Sequence, residues 1–442
     1  MGTAADCCAR ESNVADCDSM YGLSATAAAI AQNATVRRQM GEVTWGIILG
    51  SASTAEMVSR MGTGVKRRWA RQLSAVFSIA ALLLAMGCGD FFVYPGSSDS
   101  GSTSGSDYVY VANQTTNTVA AYSVGSGSLT AISGSPYALT FTPTAAAVNP
   151  ANTILFVAGA NGGVGYIASY SIGSTGALTL LTTNSIGLAD PISMDVSPDG
   201  QWLLGLDGNG LTVDEYQINA TNGTLTLATG ATYVISNATV VPRAIKVSPN
   251  GNFVFAAIGT AGDLVFPFTT STGVLSSPGR LSLPANVSDN AVAVSPSGNT
   301  LYIARSGTNG GLAAYSVSSS GVLQAISNSP FTAGSQPFSV VVTSDGTGVY
   351  VANQLDSTIS GYTIASSGSA TATSGSPYPN VSQPSGLVID RTGKYLLAIS
   401  HAGSPDLTLY SFDTTTTGKL NLVASTSTGT DPTGPIVIAA TH

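Results

Sequence analysis

Residues 108–124 read YVYVANQTTNTVAAYSV, and residues 349–364 read VYVANQLDSTISGYTI. Each stretch is a run rich in Val and Tyr, a polar loop that begins Ala-Asn-Gln, and a second run that ends in Tyr-x-Val or Tyr-x-Ile. Aromatic and β-branched residues on both sides of a polar turn are typical of a β-hairpin. Two near copies so far apart in the chain indicate a repeat protein, so the number of copies decides the fold.

Three sequence markers recur in the same order across residues 108–442. The first is a proline with a β-branched residue five positions later, at Pro143, Pro191, Pro242, Pro337, Pro384 and Pro432, with Asp289 in the remaining position. The second is an aromatic residue two positions before an apolar one, at Tyr122, Tyr170, Tyr216, Phe266, Tyr315, Tyr362 and Tyr410. The third is Gly-x-Leu, at Gly127, Gly176, Gly223, Gly273, Gly321 and Gly418, with Gly368 as the weak copy. Each marker therefore occurs seven times.

Each period of about 46–51 residues contains four strand-like runs separated by turn sequences. In residues 289–326 the runs are 291–295, 300–304, 312–317 and 322–326. A lone sheet of four short strands cannot bury its faces, whereas sheets stacked radially can. Helical periodicity is absent. The pattern therefore predicts an all-β, seven-bladed β-propeller over residues 108–442.

The two ends of the repeat region are out of phase with each other. The region begins at residues 108–112, which match the second strand of a repeat, and it ends at residues 432–440, which match a first strand. We therefore expect the C-terminal strand to pair with the first blade and close the ring.

The composition excludes several function classes. Charged residues make up 9% of the chain and the net charge is −8, with no basic patch, so we expect no nucleic-acid partner. All four cysteines lie at or before Cys88, so the repeats have no disulfide or thiolate metal site. We expect a monomer that needs neither a metal nor a cofactor.

The segment before the repeats resembles an export signal. Basic residues at 66–68 and 71 precede an apolar run at 73–86, and Gly87-Cys88 follows. This order predicts a signal peptide over residues 61–88. Residues 89–107 then form a Gly/Ser linker, and we interpret residues 1–60 as a non-native or processed extension.

Residues 84–88, LAMGC, resemble the lipobox of bacterial lipoproteins. That resemblance implies that Cys88 is lipidated and becomes the first residue of the mature protein. We would then expect an exported lipoprotein, held on a membrane of the bacterial cell envelope. A plain signal anchor with a coincidental cysteine is the alternative.

The repeats resemble the YVTN repeat and the lactonase family of seven-bladed propellers, the 6-phosphogluconolactonase-like proteins. The resemblance is carried by YVYVANQ at 108–114, VYVANQ at 349–354, the Ser-Pro-Asp-Gly turn at 197–200 and the Gly-x-Leu strands. It implies the propeller fold and a lactone hydrolase as one possible activity. Family activity is associated with an inward His, Arg and Glu set. In residues 108–442 the histidines are His401 and His442, and the only glutamate, Glu215, lies on a third strand away from the axis.

One mouth of the propeller should collect the polar residues at the starts of first strands and the ends of second strands. The expected ligand-binding residues are Asn113, Asp190, Asp207, Asp289, Gln336, Asn353, Gln383 and Asp431, and the candidate catalytic residues are Arg243, Arg305 and His401. The arginines would hold a carboxylate or polarise a lactone carbonyl, and His401 would activate water. In the alternative interpretation the aspartates cap loop N–H groups and pair with the arginines.

Two functions from different classes follow. The first is a binding module of the cell envelope, for a small polar ligand or an envelope protein, with residues 133–137 and 374–378 (both SGSPY) as matching loops for a protein partner. The alternative is a lactonase that acts on a sugar-acid lactone.

Overall fold

The computed structural model describes residues 107–442 except 188–189, 210, 229–231, 236–239, 381, 402 and 430–436. The predicted extension, the signal peptide with Cys88 and residues 89–106 of the predicted linker lie outside the described residues, as does Asp431. Asp107, the last residue of the predicted linker, begins the first strand. Every regular element in the described ranges is a β-strand. Within those ranges no helix has the length and apolarity to span a bilayer.

The strands form seven antiparallel sheets, numbered here as blades 1 to 7. Blade 1 contains β1 (Asp107–Asn113), β2 (Thr118–Gly125), β3 (Ser128–Ala131), β4 (Tyr137–Ala138) and the C-terminal β32 (Ile438–Ala440). Blade 2 contains β5 (Thr142–Val148), β6 (Ile154–Asn161), β7 (Val164–Ile172) and β8 (Leu178–Ser185). Blade 3 contains β9 (Pro191–Val196), β10 (Trp202–Asp207), β11 (Thr212–Ile218), β12 (Leu225–Leu227) and β13 (Tyr233–Val234).

The remaining four blades repeat the same plan. Blade 4 contains β14 (Ala244–Val247), β15 (Phe253–Ala257), β16 (Asp263–Thr269), β17 (Val274–Leu275) and β18 (Gly279–Leu281). Blade 5 contains β19 (Val287–Val294), β20 (Thr300–Gly307), β21 (Gly311–Val317) and β22 (Leu323–Ala325). Blade 6 contains β23 (Pro337–Val342), β24 (Gly348–Asn353), β25 (Thr358–Ile364), β26 (Ala370–Ala372) and β27 (Tyr378–Pro379). Blade 7 contains β28 (Pro384–Ile389), β29 (Tyr395–Ser400), β30 (Leu407–Phe412) and β31 (Leu420–Thr426).

The first strands of the blades make a closed ring. Each packs against the next in the order β32, β5, β9, β14, β19, β23, β28 and back to β32. Second strands such as β1, β10 and β24 are buried along their whole length, because blades cover both of their faces. This explains why they read as continuous apolar runs, whereas the outer β8 is largely exposed. The predicted seven-bladed, all-β fold is confirmed.

The ring closes where the C-terminal strand meets the first. Val109 pairs with Ala440 and Val111 with Ile438 in antiparallel register. Ala112 N–H donates to the Val437 carbonyl at 2.7 Å. All of these side chains are buried. The predicted closure by the C-terminal strand is therefore confirmed.

The Gly-x-Leu markers are contacts between blades. Gly176, at a φ of +76°, lies so close to the Tyr108 ring that an added Cβ would come within 2.3 Å of it. Tyr110 Oη donates to the Gly176 carbonyl at 2.9 Å. Only glycine adopts this backbone conformation at no steric cost and also leaves room for the ring. The repeated glycine is therefore required by the close packing of adjacent blades.

The two SGSPY loops are engaged within the fold. Ser135 Oγ accepts a hydrogen bond from Ala121 N–H at 2.8 Å, and Ser376 Oγ accepts one from Gly361 N–H at 2.9 Å. Each serine thus satisfies a donor of its blade's third strand. Tyr137 Oη accepts from Leu178 N–H of blade 2 at 3.1 Å. These side chains therefore serve packing within and between the blades.

Candidate ligand site at the mouth of the ring

Strand register places the predicted site residues on one face of the ring. Pro191 pairs with Asp207, Pro337 with Asn353, and Asp289 with Arg305. The start of each first strand therefore lies beside the end of the second strand, as the sequence predicts. We call the face where the first strands begin the mouth.

A shared backbone hydrogen bond fixes the loops at the mouth. Gln354 N–H donates to the Gln336 carbonyl at 2.9 Å, and His401 N–H donates to the Gln383 carbonyl at 2.8 Å. Asp190, which also precedes a proline, accepts from Gly208 N–H at 3.0 Å. These hydrogen bonds involve backbone groups only, so they do not use the side-chain amides of Gln336 and Gln383.

Asn113 and Asn353 occupy equivalent buried positions at the ends of β1 and β24. Asn113 Nδ2 donates to Thr118 Oγ1 at 3.1 Å, and Asn353 Nδ2 donates to Thr358 Oγ1 at 3.0 Å. The Oδ1 atom of each asparagine is buried and accepts no hydrogen bond. The side chains therefore tie the second strand to the third and leave an unsatisfied acceptor at the mouth.

Asp190 and Asp207 form an acidic pair on blade 3. Asp207 Oδ1 accepts from Asp190 N–H at 3.0 Å and from Asn209 N–H at 2.7 Å, so it caps the loop as the alternative interpretation expects. Burial, and then the charge of Asp207, raise the pKa of Asp190.

Arg305 is engaged in a buried ion pair. Its Nε donates to Asp289 Oδ1 at 2.6 Å and its Nη2 to Asp289 Oδ2 at 2.7 Å. Its Nη1 donates to Tyr315 Oη at 3.0 Å. Arg305 is 4% exposed and Asp289 is fully buried. Every nitrogen of the guanidinium has a partner in the fold, so it has no free edge for a ligand carboxylate.

A second carboxyl, which sequence reasoning missed, adjoins this ion pair. Asp263 at the start of β16 is fully buried, and no donor reaches its oxygens. Burial, and then the neighbouring charge of Asp289, raise the pKa of Asp263 well above its usual range. Asp263 therefore adds a second buried carboxyl to the ion pair of Asp289 and Arg305. The sequence signal was a lone aspartate at the start of a third strand, outside the positions considered.

Arg243 is the contrasting arginine of the mouth. Its N–H donates to the Ala257 carbonyl at 3.0 Å, just before β14. The side chain is half-buried, its Nε has no hydrogen-bond partner, and no ion pair in the described part of the chain involves it. Burial lowers the pKa of Arg243. Among the described residues Arg243 thus has no counter-charge, and an anionic ligand stabilises such a group.

The candidate catalytic residues do not share one blade. Arg243 lies on blade 4, Arg305 on blade 5 and His401 on blade 7, directly after β29. His401 is half-buried. The structure joins Asp289 to Arg305 and Asp190 to Asp207, while Arg243 and His401 lie on different blades of the same mouth.

A polar groove opens at the mouth between blades 5 and 6. Its volume is about 420 Å³, within the range of small-molecule sites. It is lined by Ser306, Gly307, Gly310, Gly334, Ser335, Gln336, Pro337 and Leu355. Asn290 Nδ2 braces it by donating to Ser306 Oγ at 3.1 Å and to the Pro337 carbonyl at 2.7 Å. Of the predicted residues, Gln336 faces this groove.

The described residues form no cluster of potential metal ligands. No group of three or more His, Cys, Asp or Glu side chains there is placed to hold a metal ion. The acidic pair on blade 3 uses its oxygens for loop N–H groups instead.

Fold and site together define a seven-bladed β-propeller with a polar mouth. The chain matches the family model described as Lactonase, 7-bladed beta-propeller, over residues 100–242 and 260–378. It therefore belongs to the lactonase family of seven-bladed β-propellers, as the YVTN-type repeats predicted. No curated protein matches the chain.

Solved structures share the fold at low sequence identity. A Bacteroides uniformis protein provisionally described as a 6-phosphogluconolactonase has a TM-score of 0.65 and 19% identity, covering 76% of this chain and 99% of its own. A Lactobacillus plantarum protein has a TM-score of 0.62 and 18% identity, covering 76% and 98%. The periplasmic gluconolactonase of Pseudomonas aeruginosa has a TM-score of 0.59 and 18% identity, covering 74% and 98%. At these identities the likeness shows the fold alone.

Proposed function

We propose that the mouth of the ring binds a small, oxygen-rich anion of the sugar-acid class, with Arg243 as its anchor. The observation that carries this proposal is the half-buried guanidinium of Arg243, which has no partner among the described residues. Removing a cation from water without a counter-charge is costly. A carboxylate would offset that cost through two parallel hydrogen bonds to the guanidinium.

Neutral groups at the same mouth suit the hydroxyls of such a ligand. Gln336 and the serines of the groove between blades 5 and 6 offer donors and acceptors. Gln383 lies on the same face. A single guanidinium without a partner among the described residues, together with these neutral polar groups, suits a polyhydroxylated monoanion better than a highly charged ligand.

Replacement of Arg243 by alanine should weaken the binding of D-gluconate at least tenfold, a loss of about 1.4 kcal/mol or more. Isothermal titration calorimetry on the full chain measures this, with neutral D-glucose as the ligand control. Arg280→Ala is the matched control variant, because Arg280 is an exposed arginine on β18. This variant should bind gluconate as tightly as the unsubstituted chain. Equal affinities for Arg243→Ala and the unsubstituted chain, or no gluconate binding by the latter, would refute the proposal.

A second candidate function is lactone hydrolysis, favoured by the family match. In this case Arg243 polarises the lactone carbonyl, and His401 takes a proton from the attacking water and returns it to the departing ring oxygen. The product is the open hydroxy acid. Hydrolysis of glucono-δ-lactone above the spontaneous rate, lost in His401→Ala, would favour this function. Gluconate binding without hydrolysis would favour the binding module.

The proposal includes a location in the bacterial cell envelope, because residues 84–88 resemble a lipobox. We expect the chain expressed in a bacterium to incorporate radiolabelled palmitate, and Cys88→Ser to incorporate none. A bacterial lipoprotein of known modification serves as the positive control. Label that persists in Cys88→Ser would contradict the predicted lipidation site.

A further inference from the structure

The interface between two neighbouring blades is called a seam here. Three seams contain the same side-chain contact. In blades 1, 5 and 6, a tyrosine on the second strand faces a small residue on the third. The pairs are Tyr110–Ala121, Tyr302–Ala314 and Tyr350–Gly361. Each tyrosine hydroxyl donates to the carbonyl of the Gly-x-Leu glycine of the next blade. The acceptors are Gly176, Gly368 and Gly418, at 2.9, 3.3 and 2.7 Å. These phenols fasten one blade to the next.

The seam between blades 3 and 4 differs from these three. The strand pair that corresponds to tyrosine and a small residue is here Leu204 and Glu215. Glu215 therefore brings a carboxyl to the place where other seams have a phenol. Gly273 of blade 4 lies directly over it, since a Cβ on Gly273 would come within 2.5 Å of Glu215 Oε1.

Glu215 is fully buried, and neither carboxyl oxygen has a hydrogen-bond partner among the described residues. It is also the only glutamate in residues 108–442. An unpaired buried carboxyl costs free energy. A well-packed leucine or tyrosine would avoid that cost at this position, and the described part of the chain provides no partner for the carboxyl.

A groove of about 360 Å³ adjoins Glu215 at the outer part of the seam. One wall is Trp202, whose Nε1 donates to the Thr270 carbonyl of blade 4 at 2.7 Å. Leu227 and Val274 stand at the rim and are 51% and 53% exposed. The groove thus combines aliphatic and aromatic walls with the neutral polar side chains of Gln217, Thr226 and Thr272 and a single acidic group.

We propose that this groove is a second ligand site, which binds a primary alkylammonium ion with its nitrogen at Glu215 and its aliphatic stem against Trp202, Leu227 and Val274. An ammonium offers three donors to the two unpaired oxygens. The indole adds attraction for a cation. A metal ion fits less well, because only one carboxylate lines the groove and hard cations need several oxygen ligands.

Protonation of Glu215 sets the pH dependence of this site. Burial raises the pKa of Glu215 to about 7. No other titratable side chain from β10, β12 or the blade 4 turn lines the groove, and Asp214, the neighbour on β11, is bonded to Thr212 and Thr232. At low pH the carboxyl is neutral and must lose its proton before it pairs with the cation. An alkylammonium stays charged throughout, so its affinity should rise by roughly thirtyfold from pH 5.5 to pH 8, following the ionised fraction of Glu215.

Calorimetric titration of the full chain with n-butylammonium chloride in phosphate buffer tests the proposal. We expect saturable binding at pH 8, about thirtyfold weaker binding at pH 5.5, and none in Glu215→Gln, which keeps the side-chain shape. Asp195→Asn is the matched variant, because Asp195 is an acidic residue of blade 3 that pairs with Lys246 of blade 4 at 3.2 Å. It should bind normally.

1-Butanol supplies the same stem without the charge and should not bind. The proposal fails if n-butylammonium does not saturate the chain at pH 8, if 1-butanol binds equally well, or if Glu215→Gln retains the affinity. The pH dependence of the unsubstituted chain needs no variant, so it decides the question even if Glu215→Gln folds poorly. Gluconate binding at the mouth is measured separately, and neither result depends on the other.

Discussion

Replacement of Arg305 by alanine is expected to lower the free energy of unfolding by about 3–5 kcal/mol at pH 7. The buried guanidinium makes two hydrogen bonds to Asp289 and one to Tyr315. Without it, the Asp289 carboxylate stays in the core beside the carboxyl of Asp263 with no counter-charge. Two adjacent buried carboxyls cannot both ionise at low cost, so the variant must either bury an unpaired charge or take up a proton.

Proton uptake gives this prediction a characteristic pH dependence. In the variant, the adjacent buried carboxyls keep a proton that the unfolded chain releases, so the loss of stability should grow as the pH rises through the acidic range and should be smaller at pH 4 than at pH 7. Chemical denaturation at both pH values measures it. Arg243→Ala is the control, since Arg243 has no ion pair in the described part of the chain, and its stability should change by less than about 1 kcal/mol. Equal effects for the two arginines would contradict the assignment of Arg305 to the fold.

The fold was predictable because its determinants repeat along the chain. Pro191 and Pro337 mark where first strands begin, and Gly176 marks where one blade touches the next. Each signal is weak alone, but seven copies in phase leave few other architectures. The closing contact of β32 with β1 also followed from the sequence, because an incomplete first blade and a final unpaired strand complete each other.

The candidate site was predictable only in part, because its chemistry depends on contacts across seams. Strand phase placed Asp289 beside Arg305, and their register is as expected. It did not show that Asp263 of the preceding blade completes that cluster, or that Arg243 remains unpaired. Burial decides which of two similar arginines belongs to the fold, and burial arises from neighbours distant in sequence.

The role of Glu215 also depends on neighbours that are distant in sequence. On strand position alone it looked remote from any site. The register with Leu204 and the cover by Gly273 show that it takes the place of a phenol between two blades. In a chain with so few charges, an unpaired carboxyl at a seam and an unpaired guanidinium at the mouth are the clearest indications of ligands. Their opposite signs predict two chemically different ligands, an alkylammonium and a sugar-acid anion.

A disulfide across the closing seam should stabilise the ring by about 5 kcal/mol, because it would join positions about 330 residues apart and so restrict the unfolded chain strongly. Val109 and Ala440 are suitable because they face each other in the register of β1 and β32. Their pair lies between the hydrogen-bonded pairs at either side, where cross-strand side chains approach closely. The repeat region has no cysteine of its own, so the new bond is identifiable by peptide mapping.

The mouth, the seam groove and the Arg305 cluster all require a ring closed by its own C-terminal strand. The most direct test is non-reducing peptide mapping of Val109→Cys/Ala440→Cys after mild oxidation, with Val109→Cys/Leu422→Cys as the mismatched control on the outer strand β31. We predict a disulfide-linked peptide pair containing positions 109 and 440, and an unfolding midpoint that falls when the bond is reduced. Free thiols at both positions in the folded chain, or equal cross-linking of the mismatched pair, would contradict the closed ring.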